Sequence, residues 1–186
     1  MNLSSVICPI CGAKISNSNN KYHFTCRFCS FKKNPALGTK QNIENYLEKS
    51  LKDIGQILAL KDIPEIYVDG AREEDLRQIK NDHQVKLIPC AGHIQNADGI
   101  WAPMVLPFQD DLSGFFKEKF RQLKPGGMLY LSTPVTRIFQ KNLPLPGQIN
   151  FFKSKNVMFL LEQHGFKMAW RKNRFSRALK IIARRN

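Results

Sequence analysis

Two Cys-x-x-Cys pairs, Cys8/Cys11 and Cys26/Cys29, are separated by fourteen residues near the N-terminus, and they constrain the fold of this chain more than any other feature. Each short pair wraps a turn that aims two thiolates at one point, and two such turns complete a tetrahedron. Gly12 follows the first pair where a tight turn needs a small residue, and Ser16 to Lys21 reads as the polar tip of a hairpin between the knuckles. Ile10, Ile15, Tyr22, Phe24, Phe28 and Phe31 are too few to fold such a segment unaided, so a metal must supply the missing folding energy, about 10 kcal/mol or more in modules of this kind. The expectation is a structural zinc ribbon over residues 1–34, ligated by Cys8, Cys11, Cys26 and Cys29. Four thiolates close the site, leaving no position for a catalytic water and no need for the nearby His23.

Five cysteines is an odd number, with Cys90 standing alone, and the paired spacing points to metal in a reducing compartment rather than to disulfides. The opening MNLSSVICPICG has neither a basic leader nor a long apolar run, and no later stretch is long enough to span a bilayer, so a cytoplasmic protein is expected. The formal charge is +14, and it is unevenly placed: no acid precedes Glu44, and Lys167 to Asn186 carries eight cations without one acid. Such a field attracts nucleic acid or another polyanion.

A linker over residues 35–41, marked by Pro35 and Gly38, leads into a body over residues 42–186. Ile43, Leu47, Leu51, Ile54 and Leu58 have helical spacing. Strands follow at Glu65 to Asp69, Val85 to Cys90, Gly99 to Ala102 and Met128 to Thr133, interleaved with helices at Arg72 to Asn81 and Leu112 to Leu123. This alternation predicts a three-layer α/β fold with a mainly parallel sheet. Toward the end, Ser154 is placed to cap a helix carrying Val157, Leu160 and Leu161, and Phe166 to Arg171 and Ala178 to Arg184 read as an antiparallel hairpin.

The run FFKEKFRQLKPGGMLYLSTPV resembles the approach to the fifth strand of class I S-adenosylmethionine-dependent methyltransferases. QINFFKSKNVMFLLEQHGF, at Gln148 to Phe166, is similar to the later part of the ubiquinone-biosynthesis O-methyltransferase type. Two motifs in order, from about Ala97 to the C-terminus, imply a Rossmann-like methyltransferase sheet, here truncated to about six strands. More loosely, CPICGAKIS resembles the zinc finger of one subfamily of ribosomal RNA guanine methyltransferases, which implies ribosomal RNA as a partner.

The resemblance also implies S-adenosylmethionine, held at a glycine-rich turn after the first strand. No Gly-x-Gly-x-Gly occurs between Gln41 and Trp101. If Glu65 to Asp69 is the family's second strand, Asp69 becomes the ribose-binding acid, but a central strand is lost. If it is the first strand, only a peripheral third strand is missing and Asp69 and Gly70 stand at the cofactor turn. The second threading is preferred, because losing an edge strand leaves the core ladder intact. It gives the turn one glycine, crowds it with Glu73, Glu74 and Asp75, and ends the second strand in Cys90-Ala91 without a ribose acid. Weak or absent cofactor binding is therefore expected.

No catalytic residue is assigned. Cys90, His93 and Asp98 include the types of a nucleophile and its base, but a lone thiol after an apolar strand is more often a small buried residue. His83 and His164 fall at helix ends, Trp101 and Trp170 in strand patterns, and Asp110 and Asp111 where they would cap a helix. The leading functional expectation is a degenerate methyltransferase-like binding or assembly protein. The second is a basic nucleic-acid-binding module with Tyr22, Phe24 and Phe28 available for stacking. The third is an active methyltransferase completed by a protein partner, or by a homodimer formed through the open sheet edge.

Overall fold

The computed structural model describes residues 6–15, 23–34, 63–77, 85–90, 94–136, 147–172 and 178–186. The helix expected from Ile43 to Leu58, the linker 35–41, and Tyr22, His83 and His93 lie outside the described residues.

The N-terminal segment folds as two knuckles. β1 (Val6–Ile7) pairs antiparallel with β2 (Lys14–Ile15), and β3 (Phe24–Thr25) pairs antiparallel with β4 (Lys32–Lys33). Each hairpin closes on its own cysteines: Gly12 N–H donates to the Cys8 carbonyl at 3.0 Å, and Ser30 N–H to the Cys26 carbonyl at 2.9 Å.

The body follows the expected alternation. β5 (Glu65–Val68), α1 (Glu73–Arg77), β6 (Lys86–Pro89), β7 (Ala97–Pro103), α2 (Leu112–Gln122) and β8 (Leu123–Pro134) come first. β9 (Asn150–Phe151), α3 (Ser154–Gln163), β10 (Phe166–Lys172) and β11 (Ala178–Arg185) complete the chain. Six strands form one sheet in the order β10-β11-β8-β7-β5-β6, parallel from β8 to β6 and antiparallel through the C-terminal hairpin. β5 therefore lies in the interior and β6 at the edge among the described residues, as in the threading that lacks only a peripheral strand. The two edges carry features that discourage pairing with another chain: β6 ends in Pro89, and β10 has an irregular register at Met168/Trp170 and exposed Lys167, Arg171 and Lys172.

The Lys-Pro-Gly-Gly turn sits inside the extended β8 segment. Its register against β7 jumps from Ala97↔Leu123 to Gly99↔Met128, so residues 124–127 loop out. A Cβ on Gly127 would lie 2.9 Å from the carbonyl oxygens of Ala97 and Lys124, a close approach only glycine allows.

Alternation along the strands divides the core. Ile66, Val68, Trp101, Tyr130 and Ile182 face α1, while Ile100, Ala102, Leu129, Leu131 and Ile181 face α2 and α3. Trp101 and Tyr130 meet edge to face at 6.3 Å, which places Trp101 in the core as its strand position predicts. Asp111 caps α2 by accepting from Gly114 N–H at 2.9 Å. The start of α3 differs from expectation. Its N-cap is Lys153 rather than Ser154, and the side chain of Asn156 reaches back to the Lys153 N–H at 2.7 Å.

The ribbon shares structure with this body. β4 pairs antiparallel with β9, making a three-stranded sheet β3-β4-β9, and Phe31 stacks on Phe152 at 5.5 Å. Cys8, Ile10, Phe24, Cys26 and Phe31 belong to the same buried cluster as α2 and α3. Lys33 reaches the loop before α2, donating to the Asp110 carbonyl at 3.3 Å and pairing with its carboxylate at 3.7 Å.

Candidate metal centre and sheet crevice

The four predicted ligands converge. The sulfurs of Cys8, Cys11, Cys26 and Cys29 all lie within 4.8 Å of one another, with Cys8–Cys29 and Cys11–Cys26 each at 3.6 Å. Bonds of about 2.3 Å to a central tetrahedral ion would place the sulfurs about 3.8 Å apart, so the spacing suits such an ion. Without metal, the thiols are held unequally. Burial pushes Cys8 far above the ordinary thiol range and Cys29 up to about 11. At Cys26 burial also pushes upward, but the N–H groups of Cys29 and Phe28 outweigh it and bring the thiol down to about 7. The body touches this centre directly: buried Asn156 donates from Nδ2 to the Cys29 carbonyl at 3.0 Å. His23 is exposed and outside the sulfur cluster.

The second candidate lies at the carboxyl ends of β5 and β6. Asp69 continues from β5, its N–H donating to the Trp101 carbonyl at 2.7 Å. Gly70 turns the chain at φ +76, and a Cβ there would lie 3.7 Å from the Val105 side chain. The Asp69 carboxylate points to the sheet face covered by α2, where the Lys119 ammonium meets it at 2.9 Å. Lys119 is almost wholly buried; it donates to Gln122 at 3.2 Å and lies 3.9 Å from the Cys90 sulfur. Burial would lower the lysine pKa, but Asp69 outweighs it and raises it, whereas burial raises the Cys90 thiol. At the head of α1, Asp75 accepts from the Arg72 N–H at 2.9 Å and from its guanidinium at 3.2 Å, contacts that lower its pKa.

No protein-family model matches the sequence, and no curated protein matches it. Solved structures do. Human N-acetylserotonin methyltransferase in complex with SAM has a TM-score of 0.54 at 14% identity, with 77% of this chain and 55% of that chain covered. The Burkholderia thailandensis 1,6-didemethyltoxoflavin-N1-methyltransferase gives 0.51 at 15% identity, over 88% of this chain and 98% of that one. The chain has the class I methyltransferase fold. It spans about half the length of the human enzyme and nearly all of the Burkholderia one. A 4+2 cyclase, SpnF, matches as well, with a TM-score of 0.57 at 12% identity over 81% of this chain and 86% of that chain, so the methyltransferase fold alone does not settle the chemistry.

In an open sheet of this kind, ligands bind outside the carboxyl ends of the strands where the strand order reverses. That point falls between β5 and β7, beside Asp69 and Gly70. The predicted turn residues are thus at the switch point of the methyltransferase fold, with the Asp69 charge engaged by Lys119. Cys90 and Asp98 are not brought together: Cys90 follows the carboxyl end of β6, while Asp98 pairs with Lys124 near the start of β7. His164 closes α3, its Nδ1 bonded to the Leu160 carbonyl at 2.7 Å and its Nε2 to Ser113 at 3.0 Å. Trp170 is half-buried against the α1-side core. Phe24, expected to be free for stacking, is buried against Phe31 at 5.9 Å.

Sequence reading missed Lys119. Its signal was position: four residues after Phe115 and three after Phe116, it stands where the buried face of α2 calls for an apolar residue.

Proposed function

We propose that this chain is a zinc-ribbon protein whose methyltransferase fold has given up its cofactor and acts by binding rather than by methyl transfer. The observation that carries this reading is the Asp69–Lys119 pair at 2.9 Å, with Cys90 beside it. A cofactor crevice needs close backbone approach and a free acid for the ribose. Here the turn has a single glycine, Asp69 is engaged by a buried ammonium, and a thiol stands where the ribose acid belongs. At the head of α1, Asp75 already accepts from the Arg72 N–H and guanidinium, contacts that a ligand carboxylate would have to displace. These residues do not fit S-adenosylmethionine.

The ribbon's ion is zinc in this reading. Tetrahedral sulfur donors select zinc or iron, and a site closed by four thiolates contributes folding energy without an open position for chemistry. Cys8, Cys11, Cys26 and Cys29 would hold the ion as thiolates, and such a centre would fix the two knuckles against each other.

The test is calorimetry with S-adenosylmethionine and S-adenosylhomocysteine on the metal-loaded full chain, together with metal analysis. The expected result is no saturable heat below millimolar ligand and one zinc per chain in colourless protein. Micromolar binding of either ligand would defeat the degenerate reading. Red, iron-containing protein, or four freely titrating thiols in the native state, would defeat the zinc assignment.

A further inference from the structure

The knuckle end of the ribbon carries two large apolar side chains that the fold leaves in solvent. Phe28 is 76% exposed and Ile7 67%, the two highest values for large hydrophobic residues among those described. Ile7 precedes Cys8 and Phe28 precedes Cys29, and the sulfurs of those two cysteines are 3.6 Å apart, so both side chains belong to one end of the ribbon. The ribbon does not need either for its own core, which Ile10, Phe24 and Phe31 fill on the side facing Phe152.

The ribbon's own charges have one sign. Arg27 adjoins Phe28, Lys14 stands opposite Ile7 in the β1–β2 register, and Lys32 lies on β4 with its ammonium 5.7 Å from the Phe151 ring. All three cations are exposed, and residues 1–43 contain six Lys and Arg and no acid. Four thiolates on a divalent ion carry two negative charges, fewer than the six cations, so the ribbon stays positive when its centre is filled.

We infer that this end of the ribbon binds single-stranded nucleic acid, with a base stacked on Phe28 and the neighbouring phosphates along Arg27, Lys14 and Lys32. An exposed ring set among cations is what a single strand requires, because its bases present free faces that a duplex keeps stacked. An acidic peptide would use the cations but not the ring. An anionic membrane would need a larger apolar face than two side chains provide. The inference rests on the binding-protein reading above and names the partner of that protein.

The experiment is fluorescence anisotropy of a labelled mixed-sequence 12-nucleotide RNA with the metal-loaded full chain at 50 mM salt, with zinc content measured for each variant. Phe28→Ala should weaken binding about tenfold, Phe28→Tyr should restore it, and Arg27→Gln should lower the salt slope by about 0.7. The same RNA as a duplex, heparin and phosphatidylserine vesicles should bind more weakly than the single strand and should be insensitive to Phe28→Ala. No binding at 50 mM salt overturns the inference. So does equal loss-free binding by Phe28→Ala, or tighter binding of duplex, heparin or vesicles. Because Phe28 is exposed, its variants should keep their zinc. A variant with one zinc per chain and unchanged RNA affinity counts against this surface alone, whereas cofactor binding in the calorimeter counts against the underlying reading.

Discussion

Replacing Asn156 by alanine removes two hydrogen bonds, one that caps α3 and one that ties the ribbon to the body. The side chain is buried; its oxygen accepts from the Lys153 N–H at 2.7 Å and its nitrogen donates to the Cys29 carbonyl at 3.0 Å. A buried group left without its partner costs about 1–3 kcal/mol. Lys153 and Cys29 are both half-buried, so water relieves part of each loss, and a total of about 2–3 kcal/mol is expected by the same measure. Urea denaturation of the metal-loaded protein should show the midpoint falling with an unchanged slope. Release of the ion to a chromogenic chelator should also accelerate, because the Cys29 carbonyl is no longer held. Asn156→Asp keeps an acceptor for Lys153 but buries a carboxylate against the Cys29 carbonyl, so it should be no more stable than the alanine variant and ion release should stay fast. An alanine variant within about 0.5 kcal/mol of the parent, with unchanged release, would refute the idea that the body braces the metal centre.

Four further outcomes are expected. Lys119→Met strands the half-buried Asp69 carboxylate and should destabilise the fold by about 3 kcal/mol, read by thermal or urea unfolding; a neutral result would mean that water already serves Asp69. Since the folded pKa of Lys119 is raised, its contribution is complete below the ordinary lysine value of about 10.4 and is lost as pH rises through the higher folded value; the parent should therefore lose more stability than Lys119→Met in strongly alkaline solution. The ion should be released as pH falls, because the thiols must regain protons, and metal retention independent of pH down to 4 would contradict thiolate ligation. Asp111→Ala removes the cap of α2 and should cost about 1 kcal/mol, checked by the same unfolding curves.

The parts legible in the sequence were those set by local pattern. The cysteine spacing alone predicted the sulfur cluster, because knuckle geometry depends on neighbours in the chain. Strand and helix periods placed the body elements other than β9, and the argument that an ordered sheet tolerates the loss of an edge strand more easily than a central one matched the position of β5 between β6 and β7. What the sequence did not disclose depends on partners distant in the chain. Phe24 and Phe28 look equivalent in a short aromatic segment, and only the arrival of Phe31 and Phe152 makes one of them core and leaves the other in solvent. The same holds for β9, two residues whose pairing with β4 no local period marks. Asn156 likewise reads as an ordinary helix-start residue until Cys29, 127 positions earlier, comes to rest on it. That contact gives the ribbon a consequence beyond its own folding. Because Phe31, β9 and Asn156 connect the metal knuckles to α3, the free energy of ion binding stabilises the body as well as the ribbon. Chelation should then lower the unfolding temperature of the α/β sheet itself, and a body that melts at the same temperature with and without the ion would show that the shared strand carries no coupling.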